Sequence, residues 1–225
     1  MISGLTLRAD APIPYCLYLM QISISMRLYP ININISNKNI LIVGGGNVAL
    51  RKIKILLKYT PNIKVVADKI LPAIKKIEKK GLIKVFERKY REDDINGIAL
   101  VIGATSSKDT NEKIFIDATK KFVLCNIVDD PALCSFTVPS IIERGDLCVT
   151  IHTNGKCPTL SKEIRKKIEK IITKEYGNLL ALLNATRQRL IKEKKSSKKI
   201  AIKLREIINS NILERIKKNT KGKKI

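Results

Sequence analysis

Tryptophan is absent from this sequence, histidine occurs once, and there are only four phenylalanines and six tyrosines. A surface that stacks on nucleobases needs aromatic platforms, so this scarcity makes a base-stacking nucleic-acid binder a poor expectation. The lone imidazole, His152, cannot build a metal centre by itself, and no metal site is expected. No apolar run approaches twenty residues, so no transmembrane helix and no membrane partner are expected. The five cysteines, Cys16, Cys125, Cys134, Cys148 and Cys157, are odd in number and form no C-x-x-C pair. That speaks against a disulfide scaffold or a structural zinc site and fits a reducing, cytoplasmic setting. Acidic residues are few as well: 20 against 44 basic ones, a net charge of +24. A lysine- and isoleucine-rich proteome would give this balance; so would a nucleic acid, an anionic membrane or a polyanionic substrate as partner. Charge alone does not choose among them.

What the chain does have is concentrated in Asn39–Lys52, NILIVGGGNVALRK. The apolar run Ile40–Val43 is too short for a helix and suits a buried strand. Gly44, Gly45 and Gly46 follow, and then Val48, Ala49, Ile53, Leu56 and Leu57 fall at helical spacing. Gly44 allows a sharp turn off the strand, Gly46 allows the backbone to approach a pyrophosphate, and Ala49 allows close packing of helix on sheet. This G-x-G-x-x-A pattern between strand and helix is a dinucleotide fingerprint, with the first-turn amides facing the phosphates.

The periods alternate from there. Strands are expected at Ile63–Ala67, Leu82–Phe86, Ile98–Ile102 and Phe122–Ile127, with helices at Ile70–Lys80 and Asn111–Lys120. The pattern reads as an α/β protein with a Rossmann-type parallel sheet over residues 26–137. Ligands of such sheets sit beyond the strands' carboxyl ends. Those ends carry Gly44–Gly46, Asp68 and Lys69, Thr105, and Asp129 and Asp130. Asp68 lies 22 positions after Gly46, where a carboxylate bonds ribose hydroxyls and favours NAD; its other reading is a helix N-cap ahead of Ile70. Ser135–Glu143 reads as a linking segment, Asp146–Thr153 as a strand, Thr159–Thr173 as a helix opened by Pro158, and Asn178–Lys192 and about Lys198–Lys218 as further helices. The last 39 residues hold 15 basic and 3 acidic side chains, half of the net charge. Residues 1–25 read as an extension that is disordered or not part of the functional protein.

Two segments together resemble the precorrin-2 dehydrogenase family, the NAD-dependent module of siroheme synthases. One is NILIVGGGNVALRK. The other is Cys125–Glu169, with Asn126–Asp129, Phe136–Pro139, Thr153–Gly155 and Pro158–Arg165 matching the family's N-x-V-D, F-x-x-P, Ser/Thr-Gly and P-x-L-(A/S)-x-x-I-R elements. The resemblance implies NAD-dependent oxidation of precorrin-2, an eight-carboxylate tetrapyrrole, to sirohydrochlorin, with Fe²⁺ insertion in some members. It implies a homodimer formed by residues 138–177 and a basic helical part over 178–225. It also implies that Asn47, Val48, Asp68 and Lys69 touch NAD and that Asp129 is the catalytic carboxylate. His152 and Thr153 are then expected at the substrate, although Asn154 stands where the family's loop has a glycine. By the residues alone, Asp129-Asp130-Pro131 reads better as a turn than as a catalytic element. A basic NAD-sensing or nucleic-acid-binding regulator is the alternative, but such a protein has no need of the second segment.

Overall fold

The computed structural model describes residues 28–213 and Ile216. The expected N-terminal extension, Cys16 and the end of the last expected helix lie outside the described residues. The chain divides into two compact units between Thr137 and Val138.

The first unit is a five-stranded parallel sheet. Its elements are β1 (Ile40–Val43), α1 (Asn47–Leu56), β2 (Ile63–Val66), α2 (Pro72–Lys79), β3 (Lys84–Phe86), β4 (Leu100–Gly103), α3 (Lys108–Lys120) and β5 (Leu124–Ile127). The strand order is β3-β2-β1-β4-β5, so the order reverses between β1 and β4. β1 is buried along its whole length because it is covered on both faces. Leu41 and Val43 pack with Ile114 and Ala118 of α3, while Ile40 and Ile42 pack with Ala49 and Ile53 of α1 and Ile74 of α2. The strand period of two splits the run between two cores, so an unbroken apolar sequence is required rather than an alternating one. Each such side chain contributes about 1.5–3 kcal/mol by leaving water.

Several boundaries differ from the sequence expectation: β3 begins at Lys84 rather than Leu82, β4 at Leu100 rather than Ile98, and three others have a visible cause. Phe122 is not in a strand: it is 96 % exposed with φ 55°. It closes α3, the Phe122 amide donating to Thr119 O (3.2 Å) and the Val123 amide to Ala118 O (2.9 Å). This is the helix ending normally given to glycine, here on an aromatic residue, and it delays β5 to Leu124. α2 begins at Pro72 with Leu71 at its cap, so Asp68 is not an N-cap. α3 begins at Lys108, where Ser107 Oγ accepts from the Thr110 amide (3.2 Å).

The charged loop after β3 is tied down at two points. Asp94, 2 % exposed, accepts from both terminal nitrogens of Arg88 (2.7 Å each), from the Arg91 amide (3.0 Å) and from Lys64 Nζ of β2 (2.8 Å). The buried Tyr90 hydroxyl donates to Asp117 Oδ2 of α3 (3.0 Å). Burial disfavours the Asp94 anion, but Arg88, Lys64 and the Arg91 amide outweigh it and hold its pKa well below the usual carboxylate range.

The second unit corrects the reading of Ser135–Glu143 as a link. Its later part is β6 (Ser140–Arg144), which pairs antiparallel with β7 (Leu147–Ile151) from Ser140↔Ile151 to Arg144↔Leu147. The adjacent Ile141 and Ile142 hid the alternation, and Gly145 at φ 62° turns the hairpin. Three helices follow, α4 (Pro158–Ile171), α5 (Lys174–Lys192) and α6 (Ser197–Asn209). α5 starts four residues before the expected Asn178 because Gly177 lies inside it. A Cβ on Gly177 would come within 2.5 Å of the Arg144 carbonyl oxygen, so the glycine that reads as a helix breaker permits helix and hairpin to touch. No helix among the described residues is long and apolar enough to cross a membrane.

Asp94→Asn should lower the free energy of unfolding by about 2 kcal/mol near neutral pH, since a buried acceptor of two cations is lost. The native pKa of Asp94 is depressed below its unfolded value of about 3.9. Its contribution is therefore present above about pH 4 and fades as pH falls towards the native value. Urea unfolding of both proteins between pH 7 and pH 3 should show the gap narrowing at the acid end; a constant gap would contradict the ionised pair.

Candidate functional site

β1 ends in a turn with no room for side chains on two of its three glycines. Gly44 has φ 129°, and a Cβ there would run into the Ala104 carbonyl at the end of β4. A Cβ on Gly45 would strike the Lys69 carbonyl after β2. Backbone bonds fix the same crossing: Gly44 N to Val66 O (2.9 Å), Ala104 N to Val43 O (2.7 Å) and Leu71 N to Gly45 O (3.0 Å). Gly46 differs, since a Cβ there meets nothing within 4 Å. It is exposed and caps α1 with no side-chain acceptor. The first-turn amides are thus left to a ligand, and the helix dipole favours an anionic one.

A cleft of about 780 Å³ opens over this turn at the sheet's switch point. That is within the range of cofactor sites. Of the expected cofactor residues, Gly44, Gly46, Asp68, Lys69 and Thr105 line it. The Thr105 hydroxyl also holds the start of α3, donating to Asn111 Oδ1 (2.8 Å) and accepting from the Ser107 amide (3.2 Å). Asn47 and Val48 stand in the first turn of α1 outside the lining, where their offering is backbone N–H. The exposed carboxylate of Asp68 with an open glycine turn and an uncapped helix suits a ribose and a pyrophosphate, so the residues fit a dinucleotide. Among the lining residues that the sequence reading did not single out are Gly45, Lys89 and Tyr90. Gly45 was legible only as the middle of a run, and the other two depend on the buried Asp94 and Asp117 contacts, which no local pattern announces.

Asp129 lies at the carboxyl end of the edge strand β5, exposed, with φ 64°. A left-handed conformation is uncommon outside glycine, and Asp and Asn adopt it most readily. The turn around it is held from below. Cys134 Sγ donates to Ile127 O (3.2 Å) and Asp130 O (3.1 Å). Asn126 Nδ2 donates to Phe136 O (3.0 Å) and approaches Cys134 Sγ (3.4 Å). Burial raises the pKa of the Cys134 thiol, which keeps it a protonated donor, and burial followed by the neighbouring Cys134 pushes that of Cys125 up to about 12. Cys134 as a clasp was not foreseen; it reads in sequence as a small core residue.

His152 and Thr153 belong to the second unit. Their polar atoms shape their own loop: His152 Nδ1 accepts from the Asn154 amide (3.1 Å), and Thr153 Oγ1 from the Cys157 amide (3.2 Å). Asn154 has φ 51° and Gly155 φ 73°. Asn154 thus takes the left-handed backbone that glycine favours and asparagine tolerates. Among the described residues no group of three or more His, Cys, Asp or Glu is assembled for a metal.

Comparison with known proteins agrees with this geometry. An NAD(P)-binding family model matches residues 31–140. Siroheme synthase 1 of Aeromonas hydrophila subsp. hydrophila is 34 % identical over 165 residues, covering 73 % of this chain and 36 % of that protein. The siroheme synthase of Baumannia cicadellinicola subsp. Homalodisca coagulata is 36 % identical over 165 residues, with the same coverage. The chain therefore spans a little over a third of the length of these relatives. Among solved structures, SirC, precorrin-2 dehydrogenase, superposes with a TM-score of 0.72 at 25 % identity, over 85 % of this chain and 100 % of that one.

Gly46→Asp should abolish NAD⁺ binding in calorimetry while leaving the melting temperature nearly unchanged. The added carboxylate has space but faces the pyrophosphate. Gly45→Ala should instead lower the melting temperature, because its methyl group collides with the Lys69 carbonyl. Unchanged NAD⁺ affinity in Gly46→Asp would move the cofactor elsewhere.

Proposed function

We propose that the chain belongs to the family of precorrin-2 dehydrogenases and siroheme synthase N-terminal modules, which it resembles over most of its length, and that it oxidises precorrin-2 to sirohydrochlorin with NAD⁺. The observation that carries this reading is the shared edge of one sheet. An open glycine cleft fit for a dinucleotide and a carboxylate fixed in a left-handed turn both stand at the carboxyl ends of the same parallel strands. NAD⁺, when bound, supplies the hydride acceptor.

The protein's own part is positioning and proton removal. The Gly46 turn and the α1 amides bind the pyrophosphate, Asp68 the adenosine ribose, and Lys69 stands beside it. Loss of a hydride from the macrocycle must be accompanied by loss of a proton, and Asp129 is the base that takes it. Its rigid turn keeps the carboxylate exposed and aimed, so little reorganisation is needed at the reaction step. Asp130 is placed differently: it caps the short helical turn Pro131–Leu133 with its backbone and gives its carbonyl to Cys134. Thr153 and His152 are assigned to the substrate. The free state of the four described cysteines fits a cytoplasmic location.

We further propose that the second unit pairs with its copy in a homodimer through the region 138–177. Val138, Leu160 and Ile171 are 46 %, 51 % and 66 % exposed there, more apolar surface than a basic monomer has reason to keep. Light scattering at micromolar concentration should give twice the chain mass; a monomeric mass would count against this interface.

Asp129→Asn should lower turnover by about two to four orders of magnitude. The amide can keep the left-handed turn but cannot take the proton, so the fold and the NAD⁺ affinity should hardly change. Asp130→Ala should be milder. Steady-state assays following sirohydrochlorin absorbance check this, and near-normal turnover in Asp129→Asn would return the residue to a mere turn.

A further inference from the structure

α1 carries a charge that the mechanism above does not use. Lys52 comes three positions after Ala49 and directly before Ile53, the two residues by which α1 is fully buried. Its stem therefore leaves the helix along the flank of the apolar face. That face shares its core with Val128, which precedes Asp129, and with Phe136, two residues past Cys134. Lys52 is half-buried, and among the described residues no carboxylate stands within ion-pair distance of it.

Burial pushes the Lys52 ammonium pKa down, and the adjacent Arg51 pushes it the same way. The Cys134 thiol and the Asp129 carboxylate act in the opposite sense without overturning this. Cys134 in turn feels the lysine. Both effects put the lysine's charge within electrostatic reach of the turn that presents Asp129. A cation partly stripped of water and lacking a matched anion is a receptive site. Asp129 is not its close partner, because the backbone of that turn is held by the Cys134 bonds and the carboxylate remains exposed. Among the described residues, then, none supplies the anion, and the position is open to one from a ligand.

We infer that Lys52 binds a carboxylate of the substrate and thereby orients the substrate against Asp129. This rests on the polycarboxylate tetrapyrrole reading above. A compact ammonium on a flexible stem suits a carboxylate whose exact angle varies between substituents of a macrocycle. Lys52 is then a specificity residue: it favours tetrapyrroles carrying an acidic substituent at the position next to the reacting carbon.

The test compares Lys52→Met and Lys52→Arg with the wild-type chain. Binding of uroporphyrin, a stable octacarboxylate tetrapyrrole, is followed by fluorescence, NAD⁺ binding by calorimetry, and precorrin-2 oxidation by steady-state kinetics. Lys52→Met should weaken uroporphyrin about tenfold, the loss of one charge-assisted contact. It should raise KM for precorrin-2 more than it lowers kcat and leave NAD⁺ affinity unchanged, and Lys52→Arg should recover most of the loss. Equal uroporphyrin affinity and equal KM in Lys52→Met and wild type would overturn the inference while leaving the dehydrogenase reading intact. Lost NAD⁺ binding would overturn it too, by putting Lys52 on the pyrophosphate. A wild-type chain that neither binds uroporphyrin nor oxidises precorrin-2 removes the dehydrogenase reading, and the inference with it. If the wild type oxidises precorrin-2 without holding uroporphyrin, the KM of Lys52→Met decides alone.

Discussion

The first unit depends on one close crossing of backbones. At the end of β1 the chain passes between the carbonyls of Ala104 and Lys69 with no space for a Cβ on Gly44 or Gly45. That crossing brings the tips of β2, β1 and β4 together. It also sets the direction in which α1 leaves, so the helix amides face the cleft rather than the core. Gly46 is freed of any packing duty. Two glycines thus make the geometry and the third leaves it open, a division of labour hidden in a run of three identical letters.

The central sheet was legible because it obeys short-range rules. β1 reads as buried since every one of its residues is apolar, and α1 reads as a helix from its spacing. What was not legible came from contacts distant in sequence. The loop carrying Lys89 and Tyr90 is ordered by Asp94 and Asp117, whose partners lie on β2 and α3, so its charges looked like a solvated bend. Phe122 was read into a strand because aromatic residues favour strands, whereas here it ends a helix in a glycine's conformation. The hairpin strand β6 is hidden by the adjacent Ile141 and Ile142, and the start of α5 by Gly177, which looks unfavourable in a helix until the Arg144 carbonyl beneath it is seen.

The candidate site was legible to different depths. The glycine turn follows from physical reasoning on the sequence. Asp68 was open to two readings, and the position of Leu71 at the α2 cap removes the N-cap one. Asp129 could not be told from an ordinary turn residue without the family likeness. Its left-handed backbone and the Cys134 clasp beneath it are the physical features that set it apart, and neither leaves a mark on a hydrophobicity pattern.

The burial of β1 on both faces bears on how such a module can diversify. A residue walled in on two sides and bonded to strands on both edges has almost no tolerated substitutions. At the rim beyond the strands, the side chains of Asp68, Lys69 and Asp129 are all exposed. Mutational drift is thereby channelled away from the framework and into the rim. A lineage could trade the carboxylate at position 68 for a neutral or basic group and so change the charge of the cleft's rim, while the strand that anchors the cleft stays the same.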